Sequence, residues 1–254
     1  TTLITGLPTV GFRRFNEGVA LSKSTGAKIE EGAAMLEGFF QVDRALAVMA
    51  GNVNQYRLDE SALFMEAMNQ TLQTYVLYGN SATMPESFTG VAARYNTLTG
   101  AIGQQIVNAG GVGSDNTSIW LIGWGPAVFG MYPKGTVGGL FHEDVTVNRT
   151  AMPGNAGAMT GDVLLDANGK AFMGYRDHFQ WNCGLVIRDY RAIARIANID
   201  VSDLIGGGVS AASIIDLMIT AYYKIPTVLR KNLGKNGFGR PAWYVNPTIK
   251  MILH

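Results

Sequence analysis

Cysteine is nearly absent: Cys183 is the one thiol in 254 residues. A single cysteine excludes an internal disulfide and fits a reducing compartment. Histidine is almost as scarce. His142, His178 and His254 stand far apart, with no H-x-x-x-H or C-x-x-C neighbour, so the spacing offers no metal site. Charged residues are only 15% of the chain, against about 25% in an ordinary globular protein. The net charge of +1 exerts no global pull on nucleic acid or on an anionic membrane. No apolar run approaches the roughly 18 residues of a membrane span, and no basic segment leads an apolar one at the N-terminus. The phosphate-loop pattern G-x-x-x-x-G-K-[ST] is missing, as are internal repeats and low-complexity stretches. The absences point to a soluble cytoplasmic protein without cofactor or metal, in which the sequons at Asn69, Asn116 and Asn148 are chance.

What is abundant is glycine, 32 residues in all, nearly twice the usual share of about 7%. Apolar residues make up 47%, enough for one large core or two interlocked ones. A weakly charged, glycine-rich chain suggests surface that other protein covers. Both ends read as cut. The chain opens on Thr1, and Asn246-Pro247 starts a helix that has only about two turns before His254.

Residues 7–36 read as a long hairpin: Leu7 to Phe15 leads in, Ser22 to Gly26 turns, and Ala27 to Leu36 returns. Such a ribbon buries little by itself and is marginal in isolation, so its partner is expected elsewhere, on another subunit. Val42 to Met49 reads as a short helix. A longer one is expected from an Asp59 cap to Gly79, with Leu58, Ala62, Met65, Leu72 and Val76 as its apolar stripe. Residues 117–200 read as β-rich. Period-two alternation over 175–187 predicts one long strand, or two joined at Gly184, after a turn at Asp166-Ala-Asn-Gly169. A helix follows Gly206-Gly-Gly208, capped by Ser210 and ended near Pro226.

Chemistry has few footholds. Gly208-Val-Ser210-Ala-Ala212 resembles a nucleophile elbow, but Asp216 lies six residues on and His254 is the last residue, which suits a helix cap better than a triad. Gly206-x-Gly208-x-x-Ala211 lacks the following acid of a dinucleotide site. His142-Glu143-Asp144 reads as a polar strand end rather than a cation site, and His178 as a surface residue. From Leu217 to His254 there are six bases and no acid, yet few aromatic stacking partners for a single strand.

Four strings carry a resemblance: Leu7-Pro-Thr-Val-Gly-Phe-Arg-Arg-Phe-Asn-Glu-Gly18, Ser22-Lys-Ser-Thr25, Asp115-Asn-Thr-Ser-Ile-Trp-Leu-Ile122 and Asp189-Tyr-Arg-Ala-Ile-Ala-Arg-Ile-Ala-Asn-Ile-Asp200. They are similar to major capsid proteins of tailed bacteriophages, in the branch found among short-tailed phages. The resemblance implies an α+β fold of the Hong Kong 97 type, with an extended β-hairpin loop, a long spine helix, a peripheral sheet and an axial domain. It places the end of an N-terminal arm at 1–8, the extended loop at 9–36, and the peripheral domain at 37–200. Within that domain the spine helix falls at about 59–78 and long strands at about 171–198, and the axial domain begins at 201–254. In the commonest version of the fold axial segments directly follow the spine helix, whereas here a β region intervenes.

The implied function is self-assembly into pentamers and hexamers of an icosahedral shell around the phage genome, with no catalytic, cofactor or metal site. The partners implied are copies of the chain itself, a decoration or cement protein, a scaffold, and non-specific contact with packaged DNA, but no membrane. The implied location is the virion, assembled in the host cytoplasm. Intersubunit contacts are expected from Phe12, Arg13, Arg14, Phe15, Lys23, Lys28, Glu30, Glu31 and Trp243. Some relatives of the fold cross-link Lys to Asn. Lys23 and Lys28 lie on the corresponding loop, with no assignable Asn. The alternatives are a serine hydrolase using Ser210 or another virion structural protein.

Overall fold

The structure is a computed structural model that describes residues 1–136, 138–147, 151, 152, 155–206, 211–227, 229 and 241–253. The chain divides into two compact units, each gathered from separate stretches: 1–31, 91–130 and 185–254 form one, 32–90 and 131–184 the other. The sequence expectation of consecutive blocks, with boundaries at 36/37 and 200/201, differs from this interleaving. Its cause is strand pairing, which joins partners far apart in the chain.

In the first unit, β1 (Thr2–Gly6) pairs antiparallel with β2 (Thr25–Lys28). Its main sheet has the order β13-β5-β12-β4, formed by β4 (Ile106–Asn108), β5 (Asn116–Gly123), β12 (Ile193–Asp200) and β13 (Pro241–Tyr244). Strand β12 lies antiparallel to β5 and parallel to β4. Ile119, Leu121, Ala194 and Ile196 belong to an apolar core with Ile214 and Ala221 of α6 (Ala211–Lys224) and Ile249 of α7 (Pro247–Ile252). Trp120 is buried against Tyr95, edge to face at 6.3 Å, with the Arg195 guanidinium 4.8 Å from its ring centre. The predicted start at Asn246-Pro247 holds, since the Asn246 side chain accepts from Thr248 N at 2.9 Å.

The second unit is built on β11 (Ala171–Ile187), one continuous strand for most of whose length β3 (Ala33–Asp43) pairs antiparallel. On β11, β7 (Gly139–Asp144) and β10 (Asp162–Leu165) also pair. The predicted turn joins β10 to β11, with Gly169 at φ 75° and its N–H on Asp166 O. Here α1 (Arg44–Met49) is capped by Asp43, and α2 (Val53–Tyr78) by Asn52, whose side chain accepts from Asn54 N and Gln55 N.

Helix α2 is therefore 26 residues long and starts six residues before Asp59. Its buried positions are Val53, Arg57, Ser61 and Met68, at helical spacing. The stripe expected from Leu58, Ala62 and Met65 faces solvent instead. Arg57, a charged side chain in the inward row, disguised the true face. The helix ends where predicted, but Gly79 is not left-handed (φ −56°). A Cβ there would lie 2.5 Å from Tyr75 O and 2.6 Å from Phe88 O, so close backbone approach explains the glycine.

Candidate assembly surface

The predicted hairpin takes a different form from the one expected. Only its base is paired, by the β1–β2 ladder, while residues 7–24 form no strand and Ala33–Asp43 leaves to join β11. The reason is local: Pro8 removes a ladder donor, Gly11 and Gly18 weaken strand preference, and Asn16 adopts φ 64°. A turn closes at Glu17 N to Arg14 O, and the Ser22 hydroxyl donates to Thr9 O, so the two ends of the loop meet.

Every residue from 7 to 28 is exposed. Phe12, Phe15 and Leu21 have their side chains almost wholly in solvent. Four bases (Arg13, Arg14, Lys23 and Lys28) stand against one acid, Glu17, and none of the five makes an ion pair among the described residues. The base is firmly tied, for Ile4 N donates to Arg188 O at 3.0 Å. Glu31 takes a two-pronged hydrogen bond from Arg94, at 2.8 and 2.5 Å, with its side chain only 7% exposed.

Seven expected contact residues therefore lie in the open: Phe12, Arg13, Arg14, Phe15, Lys23, Lys28 and Glu30. Two do not. Glu31 has its charge neutralised inside its own unit by Arg94. Trp243 is half-buried, since β13 pairs with β5 and the indole packs against the apolar core. Ser210, Gly208, His254, Phe238 and the basic run 230–240 lie outside the described residues.

Sequence reasoning missed a charged network inside the second unit. Arg57 donates to Asp177 through Nε at 3.1 Å and Nη2 at 2.8 Å, and reaches Asp144 at 2.9 Å. His142 Nε2 lies 3.0 Å from Asp177 while its ring stacks on Phe179 at 4.4 Å. His142-Glu143-Asp144 is the polar end of β7, as expected, and two of its three residues also serve this network. His178 is not a free surface residue, for it stacks on Phe39 at 4.4 Å and bonds Glu37. The available signal was Asp177 itself, a carboxylate on the apolar side of an alternating strand.

Burial would raise the Asp144 carboxyl, but hydrogen bonds from Arg57 and Thr146 outweigh it and hold the group below the usual carboxylate range. In the unfolded chain Asp144 takes its proton near pH 4, as free Asp does. The folded chain resists that proton, so the unfolded state binds more, and stability falls as pH drops through about 4 and is whole above it. Asp144→Asn is expected to flatten the loss of stability between about pH 5 and pH 3. Chemical denaturation at several pH values checks this, and an unchanged slope would reject it.

No curated protein sequence matches the chain. One solved structure similar to it is a chain from a near-atomic cryo-EM structure of bacteriophage Epsilon15, with 33% identity and a TM-score of 0.62. The match covers 100% of this chain and 71% of that one. It supports the α+β fold of the Hong Kong 97 type. A family model described as major capsid protein GP7 matches residues 1–254. With a full-length family match beside an exposed, tightly anchored ribbon, the chain belongs to the major capsid protein GP7 family.

Proposed function

We propose that copies of this chain build an icosahedral phage head as pentamers and hexamers, each copy laying its ribbon 7–28 across a neighbour. The unit carrying α2 serves as the peripheral domain, with α2 as its spine, and the unit with the β13-β5-β12-β4 sheet serves as the axial domain. Assembly in the host cytoplasm, a scaffold, a decoration protein and non-specific contact with packaged DNA belong to the same reading. The observation that carries it is exposure: two phenylalanines and four bases on a tied ribbon have exposed side chains and no ion pair among the described residues. Apolar anchors give such a contact its affinity, while the arginines set register. Repeated around a closed symmetry, the contact yields rings and then a shell.

Because the Ser22 hydroxyl meets Thr9 O, a short Gly-Ser bridge can replace residues 9–22 without disturbing the base. Unfolding of the unassembled chain is expected to change by no more than about 0.5 kcal/mol, as for surface changes. Particles are expected to disappear from electron micrographs, and normal particles would refute the reading.

A further inference from the structure

An apolar recess opens in the second unit, lined by Leu36, Leu72, Tyr75, Phe88 and Cys183, with a volume of about 210 Å³. Glu86 also lines it, is exposed, and has no ion pair among the described residues. The recess is a mostly apolar concavity with one charged residue in its lining. On the ribbon, Phe12-Arg13-Arg14-Phe15 has the complementary pattern: exposed rings either side of two cations that make no ion pair among the described residues.

We propose that the recess beside Cys183 receives Phe12 or Phe15 from a second copy, with Glu86 facing the arginine pair. This rests on the reading that the ribbon lies on a neighbour, and adds where it lands. Charge sign selects this recess over others in the molecule. The one around Trp124 and Ile225 carries Arg188, whose neighbour Asp189 is already paired with Arg191. The hollow at Phe39 and Phe40 carries Arg176, and that at Ile4 and Tyr190 carries Arg191. The first two would set cation against cation, and in the third Arg191 is already neutralised by Asp189, which leaves no anion to meet the arginine pair. The hollow with Asp200, Asp203 and Asp216 has the right sign but a polar wall, which suits no aromatic ring. A knob and a socket on different parts of one chain make a head-to-tail contact, the kind that closes into rings.

Cys183 supplies the test. Phe12→Cys and Phe15→Cys, made singly, are assembled into particles and treated with a short bis-maleimide, then run on a denaturing gel. At least one is expected to give a ladder of dimers and higher multiples that vanishes when Cys183→Ser is added. Particles that form without any Cys183-dependent link overturn the docking and leave the ribbon's role to the deletion experiment. A link confined to monomers overturns both.

If neither cysteine variant assembles, charge reversal decides. Glu86→Arg is expected to reduce particle yield about tenfold through like-charge repulsion. Adding Arg13→Glu and Arg14→Glu in the same chain is expected to restore it, and failure to restore overturns the docking.

Discussion

Arg57→Ala is expected to cost about 3–5 kcal/mol of stability, because it strands the carboxylates that Arg57 now neutralises. Asp177 is 2% exposed and Arg57 8%, so water cannot replace the lost partner. Two nitrogens of Arg57 hold Asp177 and its reach to Asp144 ties β7 to α2, so one truncation loosens three elements of the unit. His142, 3.0 Å from Asp177, then becomes the remaining donor to that carboxylate. Replacing the whole set with uncharged residues, as in Arg57→Met with Asp177→Leu and Asp144→Asn, is expected to cost far less, since no charge is left unpaired. Denaturant unfolding of the unassembled chain measures both. A single-variant loss below about 1 kcal/mol, the scale of a surface pair, would show that the network is solvated.

Trp120→Ala is expected to remove about 3–5 kcal/mol, the usual range for deleting a buried large aromatic. Trp120 is 1% exposed and sits in the central strand β5, so the sheet cannot collapse into the gap. Its ring also meets Tyr95 edge to face and carries Arg195 over one face, contacts that the truncation deletes together. Trp120→Phe is expected to cost clearly less. The indole N–H has no hydrogen-bond partner among the described residues, so a phenyl ring keeps much of the packing and gives up no bond. Equal losses for the two variants would contradict this.

The readable parts of the fold were those set by local chemistry. Strand β11 was visible because residues that alternate in polarity must face opposite sides of a sheet. The Asp166 turn and the Asn246-Pro247 helix start were visible because capping and turn residues act on atoms two to four positions away. The ribbon's exposure was foreseeable from its glycines and scattered charges, although its shape was not. Its return arm was drawn away by the longer pairing of β3 with β11, a competition between distant partners that no local pattern displays.

The inward face of α2 failed for the same reason. Arg57 reads as a solvent residue until Asp177, 120 positions later, is placed beside it. Glu31 and Trp243 read as free contact residues until Arg94 and β5 claim them.

The sequence alone thus determined where chain segments turn, extend or coil, and which family they resemble, since those follow from near neighbours and long matching strings. Only the tertiary structure decided which charges are spent internally and which stay exposed without an ion pair among the described residues. Burial and ion pairing are properties of surfaces brought together from far along the chain.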